Sequence, residues 1–165
     1  MQHGERSHPR HTKASALRDA WAAEREAERQ RLVRQVVAAF NDVRLGNGVS
    51  LHQARAMDDY AGDAEVAAAR VLDTESRWQD VTDEKLDRLA DTMPFMDAEG
   101  FRFYLPRFML FALEHRGRPE YSGSWAKDVA INNADLRDTT GRHDLMTEEQ
   151  RAAVRAFAEF YRDER

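Results

Sequence analysis

The chain has 165 residues, of which 42% are hydrophobic and 33% are charged, and this length allows one domain with a substantial buried core. A formal net charge of -5 argues against general binding to nucleic acids or to anionic membranes. The absence of cysteine excludes disulfides, thiol catalysis and cysteine-ligated metals, and it is typical of a reducing cytoplasm.

The first residues of the chain differ in character from the rest. Residues 1–14 are polar and weakly basic, so we expect a disordered tail there and a helical domain over residues 15–165. An alternative role for this tail is a nucleic-acid arm or a metal tract, in which His8 and His11 would supply the ligands.

A long helix is predicted from Ser15 to about Val43. Its second half has apolar residues at three- and four-residue spacing, which predicts a core-facing stripe. Its first half consists mostly of alanine and charged residues, which are strong helix formers. Only Leu17 and Trp21 are large and apolar there, and they either fold back onto the body of the domain or contact a partner.

Three shorter helices are predicted between residues 50 and 94. The first begins at a capping box formed by Ser50 and Gln53, the second begins near Asp63, and the third begins at Thr82. The spacing predicts that their inward-facing residues are Leu51, Ala54 and Met57 in the first, Val66, Ala69 and Leu72 in the second, and Leu86, Leu89, Ala90 and Met93 in the third.

The most apolar stretch runs from Met93 to Arg116, and read as a helix it is apolar around nearly its whole circumference. Such a helix is a buried one, so we expect it at the centre of the domain, with Asp97 as its N-cap. Pro106 lies inside the pattern and either bends one helix or begins a second one. Leu105 is biased away from helical angles because it precedes proline, and this slightly favours a second helix.

Regular periodicity ends after this stretch. Residues 117–145 have no sustained period, apart from two helical turns that Ser124 to Ile131 could form, and long irregular segments are often functional. A second capping box, formed by Thr147 and Gln150, predicts a final helix. Its inward-facing residues are Ala153, Val154, Phe157, Phe160 and Tyr161. The fold class is therefore predicted to be all-α, as a single compact multi-helix domain around a Pro-interrupted central helix.

Several polar residues are candidates for a site, although no catalytic motif and no metal or cofactor signature is present. Tyrosine and tryptophan are frequent anchors of protein interfaces, so the irregular segment supplies the first candidates. A second pair lies on the polar edge of the central helix, where it either binds an anion or forms ion pairs at the rim of the core. The predicted binding residues are thus Tyr121, Trp125, Asn132, Asn133, Arg102 and Arg107.

Two stretches also resemble a known family. Residues 101–106, Phe-Arg-Phe-Tyr-Leu-Pro, and residues 146–154, Met-Thr-Glu-Glu-Gln-Arg-Ala-Ala-Val, resemble signatures of a small bacterial family of unknown function. The resemblance extends from about Leu32 to Tyr161, and Glu148 stands where relatives would have proline. It implies a helical bacterial protein and carries no activity, so no catalytic residue can be transferred.

These observations lead to two hypotheses of different classes. The first is a cytoplasmic protein-binding or regulatory module, by analogy with small helical immunity proteins that bind a toxin. The second is an enzyme or small-ligand protein with a pocket beside Pro106 that uses Asp97, Arg102 and His115. We expect a protein partner of unknown identity, no cofactor, no metal and no membrane contact, and we leave homo-oligomerisation open.

Overall fold

The computed structural model describes residues 13–162, and within them the chain is all-α, without a strand. The α-helices are α1 Lys13–Phe40, α2 Leu51–Asp58, α3 Asp63–Ala69, α4 Asp83–Arg88, α5 Ala98–Glu114, α6 Trp125–Asn133 and α7 Glu148–Arg162. Short 3₁₀ helices lie between them at Arg70–Leu72, Trp78–Asp80, Ala90–Phe95 and Pro119–Tyr121. The all-α prediction is confirmed, whereas the expectations for His8, His11 and the rest of residues 1–12 lie outside the described residues.

Helix α5 lies at the centre of the domain, as its composition predicts. It contacts α1, α6 and the 3₁₀ helix at Trp78–Asp80. Its aromatic side chains are buried to 1% exposure or less: Phe101, Phe103, Tyr104, Phe108 and Phe111. Because this helix is apolar around nearly its whole circumference, neighbouring elements pack around it on several sides.

Pro106 lies within one continuous helix, so the interpretation that it begins a second helix is wrong. Proline inside a helix removes one backbone hydrogen bond and costs about 3 kcal/mol. Here Leu105 and Phe108 are fully buried on either side of Pro106, and their packing favours continuing the helix through it.

The start of α5 is joined closely to the turn before α2. The carboxylate of Asp97 accepts from the N–H of Gly100 at 2.8 Å and from the N–H of Val49 at 3.0 Å. A Cβ atom built on Gly100 would lie 2.2 Å from the carbonyl oxygen of Val49, and one built on Gly48 would lie 2.5 Å from the Gly100 nitrogen. Both glycines are therefore required for this backbone contact.

Replacing Gly100 by alanine is expected to destabilise the domain by about 1–3 kcal/mol, because the added methyl group cannot fit without moving the backbone near Val49. Thermal denaturation measures this loss. Gly123→Ala is the matched control, since no atom lies within 4 Å of the position of its Cβ. Equal melting temperatures for the two variants would contradict the close contact.

Helices α1 and α7 pack against each other in antiparallel orientation. The Arg25 guanidinium donates to the carbonyl of Phe160 at 2.9 Å, and the Gln150 amide donates to the carbonyl of Ala39 at 3.1 Å. The capping box of α7 and its five predicted inward residues are confirmed.

For Leu17 and Trp21 the structure excludes one of the two alternatives, whereas Met57 and Leu72 lie elsewhere than predicted. Leu17 and Trp21 are 63% and 60% exposed, so they do not fold back onto the body of the domain. The reason is that the described part of α7 lies beside α1 only from Arg25 onward. Met57 and Leu72 are 39% and 57% exposed instead of inward-facing. Helix α3 has no buried residue, so it lies on the surface although its apolar residues have the spacing of a core-facing helix.

The segment 117–145 has more regular structure than its sequence predicts. Helix α6 forms there, and it buries the small side chains of Ala126 and Ala130. Beyond α6, Asp135 and Asp138 each accept a hydrogen bond from the backbone N–H two residues later. These local hydrogen bonds fix the backbone conformation in place of periodic apolar residues. The sequence of this segment therefore shows no regular hydrophobic spacing.

Candidate functional site

A partly buried cluster of ion-pairing side chains joins the end of α5 to the start of α4. Asp83, the first residue of α4, accepts from His115 Nε2 at 2.7 Å and from the guanidinium of Arg107. Arg107 Nε also donates to the carbonyl of Val81 at 2.9 Å. The side chains of Arg107 and His115 are 12% and 10% exposed and that of Asp83 is 32% exposed, so this cluster connects the two helices and is open to solvent on the Asp83 side.

Tyr121 covers the cluster and forms one wall of a cleft. Its ring stacks on the His115 imidazole with centroids 3.9 Å apart, and it meets Phe111 edge-on at 5.4 Å. The cleft has a volume of about 420 Å³, and its lining residues are Thr82, Asp83, Glu84, Asp87, Arg107 and Tyr121. Three of these six residues are acidic, while the single arginine is already bound to Asp83.

Trp125 is exposed and directly follows a residue that is bound to the wall of this cleft. The hydroxyl of Ser124 donates to the carboxylate of Asp87 at 2.6 Å, which joins the start of α6 to the cleft wall. The adjacent Trp125 side chain is 67% exposed. It therefore does not pin the segment to the body, since Ser124, Ala126 and Ala130 provide the buried contacts instead.

The other predicted binding residues lie on two different faces. Asn133 donates to the carbonyl of Val129 at 2.8 Å and accepts from Arg142 at 3.1 Å, so both its polar atoms stabilise the end of α6. Asn132 lines a groove of about 630 Å³ between that end and α7. Arg102 lines a groove of about 650 Å³ between α1 and α7, where it donates to Gln150 at 2.9 Å.

Asp97, Arg102 and His115 do not converge beside Pro106. Asp97 is the N-cap and His115 the C-cap of α5, whose 17 residues place them ~25 Å apart. Arg102 binds Gln150 on α7 between them. The polar atoms of these three side chains therefore cannot act on one small substrate.

The family assignment agrees with this architecture. The model of a family of unknown function, DUF6714, matches residues 28–164. The chain belongs to this family. The resemblance inferred from residues 101–106 and 146–154 is thereby confirmed, whereas the first turns of α1 precede the matched region. No curated protein and no solved structure matches the chain.

The DUF6714 domain also contains a buried polar network that the sequence does not indicate. The Asp73 side chain is 1% exposed and accepts from the His52 backbone at 2.8 Å, from His52 Nδ1 at 2.8 Å and from Lys85 Nζ at 3.2 Å. Burial by itself raises the pKa of Asp73. The hydrogen bonds from Ser50, His52 and Lys85 outweigh burial, so the pKa lies below its ordinary value of 3.8.

The residues of this network line neither the cleft nor the two grooves. The network joins the start of α2 to the segment before α4. His143 is likewise internal in the DUF6714 domain. It is 3% exposed and meets Phe101 edge-on at 5.0 Å.

Two kinds of feature are absent from the residues that the structure describes. Over residues 13–162, no group of three or more histidine, aspartate or glutamate side chains is placed to hold a metal ion. In the same range, each helix is too short or too polar to cross a membrane.

Proposed function

We propose that the chain is a protein-binding module of the bacterial cytoplasm, and that its contact surface is the acidic cleft together with Trp125. The observation that carries this proposal is the 67% exposure of Trp125, which directly follows Ser124, the residue that binds the cleft wall at Asp87. An exposed indole loses much apolar area when a partner covers it, which is why tryptophan is frequent among hot-spot residues. The cytoplasmic location is supported by a chain of 165 residues without cysteine.

The charge of the cleft favours a partner segment that contains lysine or arginine. Asp83 is compensated by Arg107, whereas Glu84 and Asp87 are exposed and form no ion pair within residues 13–162. A cation from the partner would compensate these two carboxylates, and its aliphatic part could lie against the Trp125 ring. Complementary charge of this kind accelerates association. This effect becomes smaller as salt is added, because salt screens exposed charges.

Replacing Trp125 by alanine is expected to leave the free energy of unfolding within about 0.5 kcal/mol, since the side chain is exposed. The same change should weaken partner binding by about 2 kcal/mol, which is roughly 30-fold in the dissociation constant. Binding is measured by fluorescence polarisation with a library of short labelled peptides, in which each lysine or arginine peptide has a serine counterpart.

Two variants make this experiment specific. Trp21→Ala removes a tryptophan of similar exposure on a different helix, so it should not change peptide affinity. Glu84→Lys should weaken binding of basic peptides without affecting the fold, because Glu84 is exposed. The proposal fails if basic and serine peptides bind equally, or if Trp125→Ala unfolds the domain while affinity per folded molecule stays unchanged.

Tyr121 is expected to behave differently from Trp125. Its ring packs on His115 and Phe111, so Tyr121→Ala should lower stability as well as any binding. Trp125 is therefore the better probe of the surface.

A further inference from the structure

The first three turns of α1 extend beyond the other residues that the structure describes. Over residues 13–24, every side chain except that of Ser15 is exposed, and Arg25 is the first buried residue of the helix. We call residues 13–24 the arm. The arm is roughly 18 Å long and precedes residue 28, where the family match begins.

One face of the arm is apolar and is left uncovered within residues 13–162. Leu17 and Trp21 are one helical turn apart, so they form a continuous patch, and both are more than half exposed. Farther along α1, nearly the same face continues into Arg25 and Leu32, which pack into the body. The arm thus continues a packing surface past the point where the domain covers it.

The order of residues on this face is self-complementary. Lys13, Leu17, Trp21 and Glu24 follow one another at three- and four-residue spacing, so a cation stands at one end of the patch and an anion at the other. Neither Lys13 nor Glu24 forms an ion pair or hydrogen bond with another residue in the range 13–162. When two such arms lie antiparallel, Leu17 of each faces Trp21 of the other, and Lys13 of each faces Glu24 of the other.

A parallel pair would have the opposite effect, because Lys13 would face Lys13 and Glu24 would face Glu24. An antiparallel pair obeys the two-fold symmetry of most homodimers, in which one patch contacts the same patch on the second copy. Helix α1 already accepts an antiparallel neighbour along its buried part, where α7 lies. The second arm would occupy the corresponding place along the exposed part.

We propose that the arm is a homodimerisation element, and that its occupant is the arm of a second copy in antiparallel orientation. Each arm contributes only two large apolar side chains, so the contact covers less than the roughly 1,200 Å² of a stable complex. Association is therefore weak, depends on concentration and weakens with salt. Dimerisation brings two clefts into one particle, although the contact itself does not depend on what the cleft binds.

Sedimentation velocity of the full chain tests the dimer. The weight-average mass should rise from 19.0 kDa towards twice that value as the concentration increases from about 5 to about 500 µM. A variant with both Leu17→Ser and Trp21→Ser should stay at 19.0 kDa throughout, with an unchanged melting temperature because both residues are exposed. A constant mass for the natural chain would overturn the proposal, as would a dimer that persists in this variant.

Charge reversal tests the orientation without removing apolar surface. Lys13→Glu alone and Glu24→Lys alone should each reduce dimer formation at least about tenfold, since each places like charges against each other twice. The chain that carries both substitutions should form the dimer as well as the natural chain does. Its net charge equals that of the natural chain. If the double variant dimerises no better than the single ones, the antiparallel arrangement is wrong.

Cross-linking locates the contact, and the absence of other cysteines makes it specific. Ala20 lies beside the patch and close to the expected two-fold axis, whereas Ala23 lies on the opposite side of the helix. A short bis-maleimide should join two copies of Ala20→Cys efficiently and two copies of Ala23→Cys several-fold less. Equal cross-linking of the two variants would contradict the proposal.

Discussion

Replacing Phe101 by alanine is expected to lower the free energy of unfolding by about 3–5 kcal/mol, as truncation of buried aromatic residues usually does. Phe101 is fully buried on α5, where His143 meets its ring edge-on at 5.0 Å and the Arg142 guanidinium lies 5.0 Å from the ring centre. The truncation therefore removes core contacts and also the surface that holds residues 142–143. Denaturant unfolding measures the loss.

A second measurement separates these two effects. Amide exchange should accelerate at residues 134–146 before the rest of the domain opens, because this segment has few apolar contacts of its own. Phe95→Ala is the control, since Phe95 is 37% exposed and its truncation should have a much smaller effect. An unchanged melting temperature for Phe101→Ala would show that α5 is not the centre of the core.

Replacing Asp73 by alanine should also be strongly destabilising, by about 3 kcal/mol. The substitution leaves the partly buried N–H of His52 without its acceptor and removes one of the two carboxylates that bind Lys85. Asp73→Asn should fall between alanine and the natural residue, because it keeps an oxygen acceptor and loses the charge. If both variants were as stable as the natural chain, the network would contribute nothing to folding.

The same carboxylate predicts a dependence on pH. Since the folded-state pKa of Asp73 is lower than its ordinary value of 3.8, the folded state favours the ionised form. The stability that it contributes is thus fully present above this ordinary value and is lost as the pH falls through the folded-state pKa. Acid unfolding curves should show a shallower decline for Asp73→Ala than for the natural chain below this ordinary value.

The sequence by itself determined the features that depend on neighbours in the chain. The caps at Ser50, Thr82, Asp97 and Thr147 are each made within three residues, so the residue types suffice to predict them. The buried faces of α5 and α7 follow from periodicity in the same way. These local signals were enough to predict the all-α fold and its central helix.

The candidate site, by contrast, is formed by contacts between residues that are far apart in the sequence. Asp83 looked like an ordinary residue at a helix start, and its pairing with His115, 32 positions away, has no local pattern. The same is true of Asp87 with Ser124 and of Asp73 with His52. Of the six predicted binding residues, Arg107 and Tyr121 line one cleft, with Trp125 next to Ser124 at its wall, because α4, α5 and α6 meet there.

Exposure was likewise decided by the tertiary structure. Trp21, Trp78 and Trp125 are chemically identical, yet Trp78 is fully buried and donates from its indole to the carbonyl of Phe40 at 2.8 Å, while the other two are exposed. Whether a large apolar side chain is covered depends on which distant element reaches it, and residue spacing carries no information about that. Both proposed contact surfaces are therefore places where the folded chain leaves a large apolar side chain uncovered.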